Sequence, residues 1–211
     1  MIKAVIFDRD GVLVDSEYTN IRAGELAFQD LGVILTDEEK KSIVGHHVDV
    51  YSKPLLEKYG IAYDTFRPLQ RTHYYELLES TPVFEHTIQL LKDIHARGIP
   101  VALCTSARIE SSLELLERLG IKDLFRVLVG SEDYSKRKPD PEPYLATAKK
   151  LGVNPADCLV IEDSEVGLKS ALNAGMSCIV IFNDYTKDHD FTGAVRVVST
   201  AAELDLDDIT N

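Results

Sequence analysis

Short apolar runs alternate with longer periodic ones along this 211-residue chain. Six runs, Ile2–Phe7, Ile99–Cys104, Arg126–Val129, Cys158–Ile161, Cys178–Phe182 and Val195–Val198, are rich in Val and Ile and mostly unalternated. Such runs predict strands covered on both faces, as in a parallel sheet. The stretches between them have helical spacing. Ile88, Leu91 and Ile94 share one face of a first helix, and Ile109, Leu113 and Leu116 one face of a second. Glu142–Leu151 and Glu165–Ala174 form the third and fourth. Gly98, Gly120, Gly152 and Gly175 follow these helical runs, where a left-handed residue closes a helix. Strand and helix alternating at this rhythm predict an α/β fold with right-handed crossovers.

Residues 16–81 break the rhythm. They carry helical patterns at Tyr18–Leu31, Asp37–Val44, Tyr51–Tyr59 and Thr65–Leu78, and no convincing strand. The expected organisation is therefore a core of residues 1–15 and 82–211, with an all-helical cap domain of residues 16–81 inserted after strand one.

Composition changes the picture in three respects. With 45% hydrophobic and 27% charged residues, the chain can bury a full core. No apolar stretch reaches bilayer-spanning length, and the first residues lack the apolar segment of a secretory signal. Cys104, Cys158 and Cys178 are an odd, scattered set beside apolar residues, which predicts buried thiols in a reducing, cytoplasmic setting. The formal net charge of -12 argues against nucleic-acid and membrane partners. It leaves room for a small anionic metabolite, provided cations are concentrated at its site. A monomer is the default.

In a parallel sheet, ligands bind beyond the carboxyl ends of the strands. Strand one ends in Asp8-Arg9-Asp10-Gly11, strand two in Thr105-Ser106, and strand four in Glu162-Asp163-Ser164. Strand three leads to Lys138-Pro139. One edge thus gathers four carboxylates, two hydroxyls and a lysine. Two carboxylates about 4 Å apart repel by roughly 4 kcal/mol at an effective dielectric of about 20, so the collection needs a purpose.

Phosphoryl transfer to a carboxylate supplies one. Asp8 is placed to be the nucleophile, forming an aspartyl-phosphate. Asp10, its pKa raised by its neighbour, serves as acid toward the leaving oxygen and then as base toward water. A divalent cation held by Asp8, Glu162 and Asp163, with the backbone carbonyl of Asp10, offsets the charge of substrate and acids. Oxygen ligands alone point to Mg²⁺. Lys138 adds positive charge beside the phosphoryl oxygens, Thr105 or Ser106 donates a hydrogen bond, and Arg108 either reaches the phosphate or faces solvent. Arg9 has no assigned role beyond pairing with a nearby acid or lining the site. Ser164 also suits a helix cap.

These residues, in this order, resemble the haloacid dehalogenase superfamily. "FDRDGVLVDSE" is similar to its first motif, "LCTSA" to its second, Lys138-Pro139-Asp140-Pro141 to its third and "VIEDSEVGLKSALNAGM" to its fourth. The closest likeness is to the β-phosphoglucomutase-like phosphatases. It implies a Rossmann-like sheet and a four-helix-bundle cap that closes over substrate. Where that family usually has an apolar residue between the aspartates, this chain has Arg9. The mutases of the group resemble "D-S-E-x-x-H", with histidine where Asn20 stands, and carry a basic residue shortly after the cap glycine, where His46 and His47 follow Gly45. Asn20 and His46 are thus candidate substrate contacts, and hydrolysis is favoured over mutase activity. Two readings stay beside it: a hexose-phosphate mutase, and a non-catalytic module that binds or senses phosphate.

Overall fold

The computed structural model describes residues 1–43 and 48–210. Six strands form one parallel sheet: β1 (Ala4–Phe7), β2 (Val101–Cys104), β3 (Phe125–Val129), β4 (Cys158–Glu162), β5 (Ser177–Ile181) and β6 (Arg196–Val198). Their order across the sheet is β3-β2-β1-β4-β5-β6, so β1 lies centrally between β2 and β4. The order reverses there: the chain builds outward to β3 on one side of β1 and then to β6 on the other. Ligand sites of open α/β sheets sit at such a reversal.

Helices cover both faces. α5 (Glu85–Ala96) and α6 (Ile109–Arg118) follow β1 and β2, and α7 (Glu142–Leu151) and α8 (Glu165–Asn173) follow β3 and β4. Side chains alternate along the four inner strands, β2, β1, β4 and β5, between two buried layers. Val5, Phe7, Leu103, Leu159 and Ile161 pack with Ile88, Leu91 and Ile94 of α5 and Leu116 of α6. Ala4, Ile6, Cys104, Val160 and Val180 pack on the opposite face with Tyr144, Ala148 and Leu151 of α7 and Leu168 of α8. The result is a three-layer, Rossmann-like α/β core.

β1 and β2 begin later than the apolar runs suggest. Ile2 and Ile99 precede the paired segments of β1 and β2, yet both pack against the core. Apolar character marks burial, whereas strand limits follow hydrogen-bond pairing. The buried face of α6 also differs from the expected one. It is formed by Ser112, Leu115 and Leu116, while Ile109 and Leu113 are only half-buried. A polar residue occupies part of that face because Ser112 has a buried hydrogen-bond partner, described below.

The chain divides into two compact units, residues 1–14 with the chain from Val83 onward, and Asp15–Pro82. The second contains α1 (Ser16–Asp30), α2 (Asp37–Ile43), α3 (Val48–Tyr59) and α4 (Tyr63–Leu77). Asp15 caps α1, its carboxylate accepting from the N–H of Tyr18 at 2.9 Å. Phe28 and Phe66 lie 4.6 Å apart between ring centroids, in a core with Ala27, Ile43, Leu55 and Leu56. Glu39 accepts from Lys58 and Tyr59 at 2.8 and 2.6 Å, which with a bond from Thr36 holds its carboxyl down at about 2. Cys104, Cys158 and Cys178 are free and buried. Among the described residues no helix is long and apolar enough to cross a membrane.

Candidate active site

The site grows from the end of β1. The N–H of Asp8 still donates to the carbonyl of Ile161 at 3.0 Å, so its backbone is fixed by the ladder. The chain then turns sharply. The carbonyl of Arg9 accepts from the N–H groups of Val12, Leu13 and Val14, and Gly11 adopts φ +75°. Glycine suits this conformation, and there is a second reason for it. A Cβ at position 11 would lie 2.0 Å from Oδ2 of Asp163, so the turn passes directly under that carboxylate.

The side chain of Lys138, on the segment between β3 and α7, is only 7% exposed and reaches into the cluster. Its Nζ donates to Asp8 Oδ1 at 2.8 Å, to Glu162 Oε1 at 2.7 Å, to the Tyr144 hydroxyl at 2.9 Å and to the carbonyl of Cys104 at 3.4 Å. Burial opposes its charge, but Asp8 and Glu162 outweigh burial and hold its pKa well above the ordinary value. Lys138 stays an ammonium.

Glu162, the last residue of β4, is answered on both oxygens. Oε1 accepts from Lys138 and, at 2.6 Å, from Tyr144; Oε2 accepts from the N–H of Asp163 at 3.1 Å and the Ser164 hydroxyl at 3.2 Å. Burial pushes its pKa up, yet Lys138 and the other donors bring it below normal. Its carboxylate packs so tightly on α8 that a Cβ at Gly167 would fall 1.9 Å from it. Ser164 also caps α8, accepting from Gly167 N–H at 3.2 Å.

Asp8 and Asp163 have the opposite character. Burial raises Asp8 to about 7, with Glu162 and Asp10 adding to the rise and Lys138 opposing it. Burial, then Glu162 and Asp8, push Asp163 well above its ordinary range. Asp163 accepts from the Asn183 amide at 3.0 Å. Part of the like-charge tension between Asp8 and Asp10 is thus felt at Asp8. At Asp10, Arg9 lies on the carboxylate, with Nη2 donating to Oδ1 at 2.8 Å.

Asp8, Glu162 and Asp163 each offer a carboxylate oxygen, all within 4.8 Å of one another. Lys138 offsets one of the three charges. The remaining two match a divalent cation. The donor set is oxygen alone, which suits a hard ion. Since Glu162 is already saturated with donors, Asp8 and Asp163 are the better placed of the three to face it.

Thr105, wholly buried past β2, donates to Asp10 Oδ2 at 3.4 Å and accepts from the N–H of Ala107 at 3.1 Å. Ser106 and Arg108 are exposed, Arg108 at the start of α6. Asn20 lies in the helical unit and accepts from the Gln70 amide at 3.1 Å. His46 and His47 lie outside the described residues.

Two participants escaped the sequence reading. Tyr144 lies inside the helical run Glu142–Leu151 and had no assigned role, but its hydroxyl ties Lys138 to Glu162. Asn183 follows β5, and reading the fifth strand end as the first four were read would have found it.

Comparison with known proteins accords with this geometry. The family model of haloacid dehalogenase-like hydrolases matches residues 5–181. The chain belongs to that family. It is 32% identical over 184 residues to a phosphorylated carbohydrates phosphatase of Thermotoga maritima, covering 84% of both chains. It is 30% identical over 191 residues to a phosphoglycolate phosphatase of Yersinia pestis, covering 87% of this chain and 82% of that one. The crystal structure of CbbY from Rhodobacter sphaeroides in complex with phosphate superposes with a TM-score of 0.79 at 25% identity, covering 97% of this chain and 96% of that one.

Proposed function

We propose that the protein is a Mg²⁺-dependent phosphatase that hydrolyses a small phosphate monoester through phospho-Asp8. The observation that carries this reading is the placement of Asp8: at the tip of the central strand, 2.8 Å from the Lys138 ammonium, in a cluster with Glu162 and Asp163. Relatives named as phosphatases of phosphorylated carbohydrates and of phosphoglycolate support the substrate class. Asp8, Asp163 and the Asp10 carbonyl, backed by Glu162, are the groups assigned to the ion. When bound, Mg²⁺ supplies positive charge that lets Asp8 ionise and lowers repulsion toward a dianionic ester.

An oxygen of Asp8 attacks phosphorus while the bond to the leaving oxygen breaks. Asp10 gives that oxygen its proton. Lys138 neutralises charge on Asp8 and, with Thr105 or Ser106, on the transferred group. Water then attacks the phosphorus of phospho-Asp8, Asp10 accepts a proton, and phosphate leaves with Asp8 restored. Residues 16–81 serve in this reading as the substrate-selecting cap, with Asn20 and His46 as contacts. The three buried thiols support a cytoplasmic setting.

Phosphate release from a panel of phosphorylated metabolites at millimolar Mg²⁺ tests the proposal, with Asp8→Asn as the null variant. Turnover that survives in Asp8→Asn contradicts the mechanism. Isomerisation of β-glucose 1-phosphate without free phosphate identifies a mutase instead. Absence of turnover, with phosphate analogues still bound, identifies a binding module.

A further inference from the structure

Arg9 stands between the two aspartates, and its placement is specific. The residue is 4% exposed, although it carries a full positive charge. Its guanidinium is occupied on both sides. Nε donates to the Asp10 oxygens at 3.1 and 3.2 Å, and Nη2 to the same pair at 2.8 and 2.9 Å. Nη1 donates to the buried hydroxyl of Ser112 on α6 at 3.0 Å. That hydroxyl is anchored in turn on the Arg108 carbonyl at 3.3 Å. The backbone of Arg9 is itself fixed, since its carbonyl closes the turn after β1.

Two guanidinium nitrogens that each contact both carboxylate oxygens hold the direction of that carboxylate, which a single donor cannot do. Neighbours along an extended chain do not normally face each other, so the contact requires this turn. It makes Ser112, Arg9 and Asp10 a braced chain from α6 to the site. The Asp10 side chain keeps 34% of its surface exposed, so the braced group stays open to a reactant.

We propose that Arg9 is a positioning residue, which orients the Asp10 carboxyl for proton transfer to the leaving oxygen, with Ser112 as its strut. This rests on the reading of Asp10 as the general acid. General acid catalysis contributes about 10²–10⁴-fold, and more when the leaving group is poor. Misorientation should therefore be costly for phenyl phosphate and nearly silent for p-nitrophenyl phosphate, whose leaving group departs with little help.

The experiment compares kcat/KM for these two esters at saturating Mg²⁺ in the wild type, Arg9→Leu, Arg9→Lys, Ser112→Ala and Asp10→Asn, each checked for folding by circular dichroism. In Arg9→Leu, kcat/KM is expected to fall about 10- to 100-fold for phenyl phosphate and less than about threefold for p-nitrophenyl phosphate. Arg9→Lys keeps the charge but not the fork, and should not restore the loss. Ser112→Ala should lose in the same sense by a smaller factor. It also carries the test, with Arg9→Lys, if Arg9→Leu does not fold. Equal losses for both esters, full activity in Arg9→Lys, or no loss at all overturn the inference. Should Asp10→Asn itself lack the leaving-group dependence, the assignment of Asp10 fails and the inference falls with it. If only Asp10→Asn shows the dependence, Asp10 stands and Arg9 is not its positioner.

Discussion

Asp8 is expected to make the stability of the cation-free protein fall as pH rises. Its carboxyl is held at about 7 in the fold against an ordinary 3.8, chiefly by burial. A raised carboxyl favours the folded state when protonated. That advantage is complete below pH 3.8 and is lost as pH rises through 7. A rise of that size corresponds to roughly 4 kcal/mol, of which more than half is lost between pH 5 and pH 8. For a chain of this size that is a fall of roughly 5–10 °C in Tm. Asp163 adds to it in the same sense and Glu162 opposes it, so the contribution of Asp8 is isolated by difference. Thermal unfolding in EDTA, followed by circular dichroism from pH 5 to pH 8, should show Asp8→Asn gaining on the wild type as pH rises. Mg²⁺ should reverse the trend, because it binds the ionised carboxylates. At 100 times its Kd the ion adds about 2.7 kcal/mol of stability, and its apparent affinity should weaken below pH 7. Parallel curves for wild type and Asp8→Asn refute this account of the cluster, as does a Tm at pH 8 indifferent to Mg²⁺.

Three further outcomes are expected. Asn183→Ala removes the amide that holds Asp163, and should raise the Mg²⁺ concentration for half-maximal activity about 10- to 100-fold; an unchanged Mg²⁺ titration counts against Asp163 as a ligand. Tyr144→Phe removes the hydroxyl between Lys138 and Glu162, and denaturant titration should show a loss of about 1–3 kcal/mol, whereas a neutral result would mean that the three groups do not act together. Asn20→His should shift relative kcat/KM toward hexose phosphates in a substrate panel, and an unmoved ranking would separate Asn20 from substrate selection.

How far the chain could be read from its letters depended on where each signal resided. Parallel strands are continuous apolar runs, and their carboxyl ends are where chemistry gathers. Asp8, Lys138, Glu162 and Asp163 could therefore be grouped although up to 155 positions separate them (163 minus 8). The same logic places Thr105 against Asp10. It does not reach Tyr144, because a tyrosine on a helix face has the pattern of a core residue and its hydroxyl partners come from other elements. Asn183 was within reach but sits past a strand whose end carries no acid in the first position. Arg9 could be read as pairing with a nearby acid, as it does with Asp10, but not as braced by Ser112, which lies 103 residues away. Polar Ser112 likewise made the buried face of α6 hard to recognise.

Positions 11 and 167 are both glycine, and each lies where an added methyl group would collide with a carboxylate of the cluster. Neither takes part in bond making, yet both leave their acids no slack. In a saturation library they should tolerate replacement as poorly as Asp8 itself. Adaptation to a new substrate would then have to arise elsewhere, at positions such as Asn20, while the phosphoryl-handling edge stays constant because its backbone and its acids occupy adjoining space without a gap.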